Sequence, residues 1–143
     1  MKKTRRAQFL EEMERVVPWA DLYSLVQAQN YLLGNRHRSL GVEGMLRIYF
    51  LQLWFALSDS EVEDALSESW VMRRFVGIDI NEDLIPDENV VATFRDFLEE
   101  HDLGEEIRAR VSQQLQANGI WIRPGAIVDA SVREHRGPSN EKK

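Results

Sequence analysis

The sequence predicts a mainly α-helical fold, a helical bundle, followed by a C-terminal β-hairpin. Apolar residues recur at helical spacing through most of the 143 residues, which is the pattern of helices with one buried face. The hydrophobic content of 43%, with four tryptophans, is ample for the core of one domain. We therefore predict a helical domain over residues 1–118, a β-hairpin over residues 119–132 and a disordered tail over residues 133–143.

The first three helices are predicted from their apolar faces. The first helix ends at Pro18, because proline disfavours the helical conformation in the residue before it. The third helix, from Val42 to Leu57, has a wide apolar stripe and is predicted to be the most buried element. The apolar positions of the first two helices are Phe9, Met13, Val16, Leu22, Leu25, Val26 and Leu33.

Local signals mark the limits of four further helices. Ser58 and Glu61 form a capping-box pattern at the start of the fourth helix, in which each side chain satisfies a backbone N–H. Gly77 is available for the left-handed turn that closes a short fifth helix. Asp87 is the predicted N-cap of the sixth helix, and a seventh runs from about Glu105 to Asn118.

Two β-type runs follow the seventh helix. They are Ile120–Ile122 and Ala126–Val132, and they are joined through Arg123-Pro-Gly125, a turn signal that favours a hairpin. Asp129 lies within the second run. An acidic side chain is therefore carried on an apolar strand for which the chain supplies no further sheet.

Composition excludes several classes of protein. The chain has no cysteine, which excludes disulfides and thiolate metal sites and fits a cytoplasmic location. Its three histidines lie far apart, and it has neither a Gly-rich phosphate loop nor a nucleophile elbow, so hydrolytic triads and nucleotide-binding loops are not supported. No signal peptide precedes the first helix and no apolar stretch is long enough to span a bilayer, so we predict no membrane partner.

Positive charge is concentrated at the beginning of the chain. Through Arg47 there are eight Lys/Arg against five Asp/Glu, and the remainder carries ten against nineteen, so the net charge of −6 divides into +3 and −9. We predict that any contact with DNA phosphates depends on this first third, although solvated surface is the alternative for these residues. The candidates are Lys2, Lys3, Arg5, Arg6, Arg36, Arg38 and Arg47.

A helix-turn-helix is predicted in one of two places, around Leu57–Asp59 or at the Pro86–Asp87 start of the sixth helix. If the sixth helix reads DNA, Asn89 and Thr93 lie near its exposed side and Arg95 is placed for a phosphate. The acidic residues around this helix repel a phosphate backbone, so ordinary helix surface is the alternative.

A series of spaced segments carries a resemblance to a known family. The segments are Met45–Trp54, Leu57-Ser-Asp59, Glu63–Leu66, Met72–Phe75, Ile85-Pro-Asp87, Phe94-Arg95 and Ile127-Val-Asp-Ala130. In this order they resemble the N-terminal part of InsH-type bacterial insertion-sequence transposases. The resemblance covers nearly the whole chain up to Val132.

The resemblance implies a transposase of the DDE type, in which three acidic residues on a ribonuclease-H-like sheet hold two divalent metal ions for phosphoryl transfer. The first acid maps onto Asp129, and the other two would lie beyond Lys143. The hairpin would then be the first strands of an incomplete catalytic domain. Mg²⁺ or Mn²⁺ is implied for the complete enzyme, with Asp129 as a metal ligand only there, and the isolated chain is expected to have no cofactor and no catalytic activity.

Three functions remain open at this point. The first is a truncated transposase fragment that keeps the DNA-binding and assembly region for the terminal inverted repeats of a transposon. The second is a non-catalytic regulator that occupies these ends or disables complexes of the intact enzyme. The third is a helical protein-interaction module that does not bind DNA. The predicted partners are DNA and either a second copy of the chain or the full-length transposase.

Overall fold

A computed structural model of the protein describes residues 3–29 and 40–122. These residues form helices and connecting turns, and the described part contains no strand. The mainly α-helical bundle is confirmed. Its helices are α1 (Arg5–Val16), α2 (Trp19–Gln27), α3 (Gly41–Phe55), α4 (Asp59–Glu68), α5 (Trp70–Val76), α6 (Glu88–Glu100) and α7 (Leu103–Ala117).

Helix α3 lies at the centre of the bundle. It packs against α2, α4, α5 and α6, and eleven of its fifteen residues are buried. Phe50 contacts Trp19 and Trp54 with ring centroids 6.0 and 5.3 Å apart. The prediction that this segment is the most buried element is confirmed. Its apolar face is wide, and neighbouring helices cover it on several sides.

The helix boundaries follow the local signals in the sequence. The Ser58 hydroxyl accepts from the Glu61 backbone N–H at 3.1 Å, and the Glu61 carboxylate accepts from the Ser58 N–H at 2.9 Å. The Asp87 carboxylate accepts from the Val90 N–H at 3.0 Å, which begins α6. Gly77 has a φ of 95° and closes α5, as a residue without a Cβ can do at no steric cost.

The predicted β-hairpin is wrong. Helix α7 ends at Ala117, and Ile120–Ile122, the predicted first strand, has no strand conformation. The second predicted strand, Ala126–Val132, and the predicted tail lie outside the described residues.

The end of α7 explains this correction. The Ile120 N–H donates to the Leu115 carbonyl at 2.8 Å, and the N–H of Gly119, whose φ is 76°, donates to the Gln116 carbonyl at 2.9 Å. Together these bonds form a Schellman motif, whose last residue commonly packs on the preceding helix. Ile120 and Ile122 both pack against the hydrophobic core. Their apolar character therefore serves the end of a helix and not a sheet.

Candidate nucleic-acid interface

The turn between α3 and α4 has the length expected of a helix-turn-helix. It consists of residues 56–58, and Ala56 adopts the left-handed conformation with φ 56° and ψ 52°. The second helix of the pair, α4, carries Asp and Glu residues and no Lys or Arg. An acidic helix is repelled by the phosphates that flank the major groove, which disfavours α4 as the helix that enters the groove.

The other predicted location lacks a tight turn. Residues 77–87, eleven in all, separate α5 from α6, whereas the motif uses three or four. Asn89 and Thr93 are exposed on α6 as expected, and the Thr93 hydroxyl donates to the Asn89 carbonyl at 2.8 Å. Their exposure fits the predicted side of α6, but a connection of eleven residues, and not a tight turn, precedes the helix.

Arg95 binds a carboxylate within the bundle. Its guanidinium makes two hydrogen bonds to Asp59, one of them 2.9 Å long. Gln52 donates to the same carboxylate at 2.9 Å. The hydrogen bond from Arg95 lowers the pKa of Asp59 below its usual value, with a smaller contribution from Gln52. Arg95 therefore links α6 to the start of α4, and binding a phosphate would require it to leave this pair.

Arg47 is enclosed by the fold and only 8% exposed. The Glu14 carboxylate binds its guanidinium through both oxygens, and Glu43 adds a contact of 3.2 Å. Arg47 also donates to the Phe75 carbonyl at 3.2 Å, and its guanidinium carbon lies 4.4 Å from the Trp19 ring centroid. This arginine joins α1, α3 and α5 and already has two carboxylate partners.

Both arginines of α7 are also bound within the described part of the molecule. Arg108 donates to the Tyr49 hydroxyl on α3. Arg110 donates to Asp21 at 2.7 Å and to Glu106 at 2.8 Å. Arg110 is nevertheless partly exposed, which makes it a suitable control for arginines that have no carboxylate partner.

The N-terminal cations differ in their surroundings. Lys3 is exposed and binds Glu11 at 2.8 Å. Arg6 is half-buried, with its guanidinium carbon 5.5 Å from the Phe55 ring centroid. Arg5 is exposed and has no carboxylate partner in the described part of the chain. The Thr4 hydroxyl accepts from the Ala7 N–H at 3.1 Å, so α1 begins at Arg5 and holds these side chains at a helix N-terminus.

Three exposed arginines share the absence of a carboxylate partner among the described residues: Arg5, Arg15 and Arg74. Two lie on α1 and one on α5, and these helices pack against each other. We call them the α1/α5 cations. The sequence prediction included only the first of them, although the Arg73-Arg74 pair in a helix without acidic residues was a visible signal.

Four predicted site residues lie outside the described part of the structure: Lys2, Arg36, Arg38 and Asp129.

Within residues 3–29 and 40–122, no group of three His, Cys, Asp or Glu side chains is placed to hold a metal ion. In the same ranges no helix combines the length and apolar character needed to cross a membrane. The described part thus offers a candidate interface built from arginines, and the predicted metal ligand cannot be placed in it.

The described part is thus a helical bundle with exposed arginines on α1 and α5. A sequence family described as Transposase domain (DUF772) matches residues 1–97. This is more than half of the chain, so the protein belongs to this family of transposase domains. The match spans α1 to α5 and most of α6. No solved structure matches the chain.

Proposed function

We propose that this chain binds the terminal inverted repeats of a transposon and contributes to assembly of the transposase complex at those ends. The observation that supports the proposal most directly is the match to a transposase domain over residues 1–97, which contains all three α1/α5 cations. The resemblance to InsH-type enzymes narrows the class further to DDE transposases of insertion sequences. Such a protein would act on chromosomal DNA in the bacterial cytoplasm.

Electrostatics restricts how DNA approaches the domain. The whole chain carries a net charge of −6, so most of its surface repels a phosphate backbone. Arginines already bound to carboxylates, such as Arg47 and Arg95, contribute little net positive potential. The cations that lack such partners are therefore the groups most able to bind phosphates and release condensed counterions. In this proposal Arg5 and Arg15 contact the duplex, and the predicted contacts Lys2, Lys3 and Arg6 lie near Arg5 in the sequence.

Salt-dependent DNA binding tests this proposal. Fluorescence anisotropy would measure binding of the whole chain to an inverted-repeat duplex and to a scrambled duplex of equal composition. We expect the Arg5→Ala/Arg15→Ala variant to bind more weakly and to reduce the log–log salt slope by about 0.9 for each phosphate that the protein no longer neutralises. Arg110→Ala is the matched control, because this arginine is bound by two carboxylates.

Two results would contradict the proposal. If the wild-type chain binds neither duplex, the helical protein-interaction module becomes the better description. If it binds but both variants keep the wild-type slope, the DNA lies on another surface. Tighter binding to the inverted repeat than to the scrambled duplex would show that the domain recognises sequence as well as charge.

We propose further that the isolated chain binds ends without cleaving them. The resemblance assigns only one acid of the metal-binding triad, Asp129, to this chain, and one carboxylate leaves most ligand positions of a Mg²⁺ ion to water. Incubation with inverted-repeat DNA and Mn²⁺ should leave both strands intact. Metal-dependent nicking that disappears in Asp129→Asn would show that the chain completes a catalytic site.

A further inference from the structure

We propose that Trp70 and Arg74 form a second DNA contact, in which the indole stacks on an unpaired base and the guanidinium binds a neighbouring phosphate. This inference rests on the proposed function, since it assigns a further contact to the same DNA. It adds base stacking, which Arg5 and Arg15 do not provide in the proposed duplex contact. The occupant is DNA with an unpaired base, at a frayed or distorted site.

Trp70 is presented to solvent by the first turn of α5. It is the first residue of the helix and is 61% exposed. The Arg74 guanidinium carbon lies 5.4 Å from the indole centroid, as expected for residues four apart on a helix. Most of the tryptophan therefore remains accessible even though one cation lies against it.

The pair stands on a fixed support. The Ser69 hydroxyl caps α5 by accepting from the Met72 N–H at 3.1 Å. Arg73 donates to the carbonyls of Leu66 and Ser67 at 2.9 Å each and so binds α5 to the end of α4. The opposite side of α5 is buried through Met72, Phe75 and Val76. A surface held on three sides in this way loses little conformational freedom when it binds a ligand.

Charge favours an anionic partner such as nucleic acid over a purely apolar one. Helix α5 carries two arginines and no carboxylate, and every other helix of the described part contains at least one Asp or Glu. Arg74 has no carboxylate partner among the described residues, and α5 packs against α1, the helix of Arg5 and Arg15. Glu68, the last residue of α4, lies two residues before Trp70 and is exposed.

Stacking chemistry selects an unpaired base. A base within a duplex is covered on both faces by its neighbours, so an indole reaches it only by separating a base step. A base at an end or distortion has an open face, and stacking on an aromatic side chain is tolerant of sequence because every base has a π-face. The planar guanidinium of Arg74 complements this contact, since arginine binds phosphate and stacks on aromatic rings at the same time.

Two DNA probes separate this contact from binding by the N-terminal cations. One is the blunt inverted-repeat duplex, and the other is the same duplex with a short single-stranded thymidine tail. We expect the wild-type chain to bind the tailed probe more tightly. Trp70→Ala should lose about tenfold affinity for the tailed probe, while its affinity for the blunt duplex changes little. Trp70→Phe, which keeps a π-face, should retain most of the preference.

Matched controls use residues that share exposure but not the surroundings. Trp121 is 75% exposed and lies in coil after α7, so Trp121→Ala should leave the preference for the tailed probe unchanged.

Arg74→Ala should weaken binding to the tailed probe, and Glu68→Gln should strengthen it by removing repulsion. In a Trp121→Phe background, quenching of tryptophan fluorescence by the tailed probe should disappear when Trp70 is also replaced by phenylalanine.

The outcomes distinguish failure of this inference from failure of the proposed function. Equal affinity of wild type and Trp70→Ala for the tailed probe, with binding still dependent on Arg5 and Arg15, would overturn only the assignment of α5. If the wild-type chain binds neither probe, both the assignment of α5 and the proposed function are overturned. A decrease in affinity for the two probes by the same factor in Trp70→Ala, with unchanged circular dichroism, would also contradict base stacking.

Discussion

Arg47 on α3 and Arg74 on α5 place the same guanidinium group in opposite surroundings. Arg47 is 8% exposed and is enclosed by Glu14, Glu43 and the Trp19 ring. Arg74 is exposed, contacts an exposed tryptophan and has no carboxylate partner among the described residues. The difference shows that a count of positive residues does not locate a cationic surface. What matters is whether the protein already neutralises each cation.

The largest loss of stability is expected from substitutions in the interior around α3. Trp54 is 4% exposed and contacts the rings of Phe9, Phe50 and Phe75. Trp54→Ala should lower the free energy of unfolding by about 3 to 5 kcal/mol, because it removes buried surface and leaves a cavity. Urea denaturation followed by circular dichroism measures this change. A decrease below about 1 kcal/mol would mean that the side chain contributes little to the core.

An intermediate effect is expected at Arg47. Arg47→Ala should cost about 2 kcal/mol, since it removes charged hydrogen bonds and the packing of the stem. Arg47→Lys should restore only part of the stability, because an ammonium cannot bind Glu14 through two nitrogens. Arg74→Ala should change stability by less than about 0.5 kcal/mol. Equal costs at the two positions in the same denaturation experiment would remove the distinction between them.

A smaller effect than at Arg47 is expected at Asp59, whose pKa is lowered by its hydrogen bond with Arg95. A depressed pKa means that the stabilisation is present above the unfolded value, near 3.8, and disappears as the pH falls through the folded value. Asp59 is partly solvated, so the contribution should stay below about 1 kcal/mol. Asp59→Asn should reduce the decline of stability between neutral and acidic pH, which urea denaturation at a series of pH values measures.

Those parts of the fold that depend on neighbouring residues could be predicted from the sequence. Ser58, Asp87 and Gly77 each act within a few residues along the chain, and each marks a helix end as predicted. The hairpin prediction failed because β-branched residues after a helix have two uses. Isoleucine is common in strands, but the N–H of Ile120 completes the end of α7 and its side chain packs on the bundle.

The candidate site was harder to predict because its decisive contacts are distant in sequence. Arg47 and Glu14 are 33 residues apart, and Arg95 and Asp59 are 36 apart. No local pattern reveals such pairs, so both arginines were predicted as phosphate contacts. One signal was available: Arg47 lies within the most apolar helix, four residues after Glu43. An isolated arginine in a buried stripe is more often a paired structural residue than a ligand contact.

Ser69 is the single residue between α4 and α5, and it couples the rotation of α5 about its axis to the end of α4. Its N–H donates to the Ala65 carbonyl at 2.7 Å to end α4, and its hydroxyl caps α5, so no spacer separates the helices. Each residue added to a helix turns everything after it by about 100°. The direction in which the Trp70 side chain projects is therefore set by the length of α4. The eleven residues between α5 and α6 impose no such constraint, so changes in chain length are accommodated there without redirecting α5.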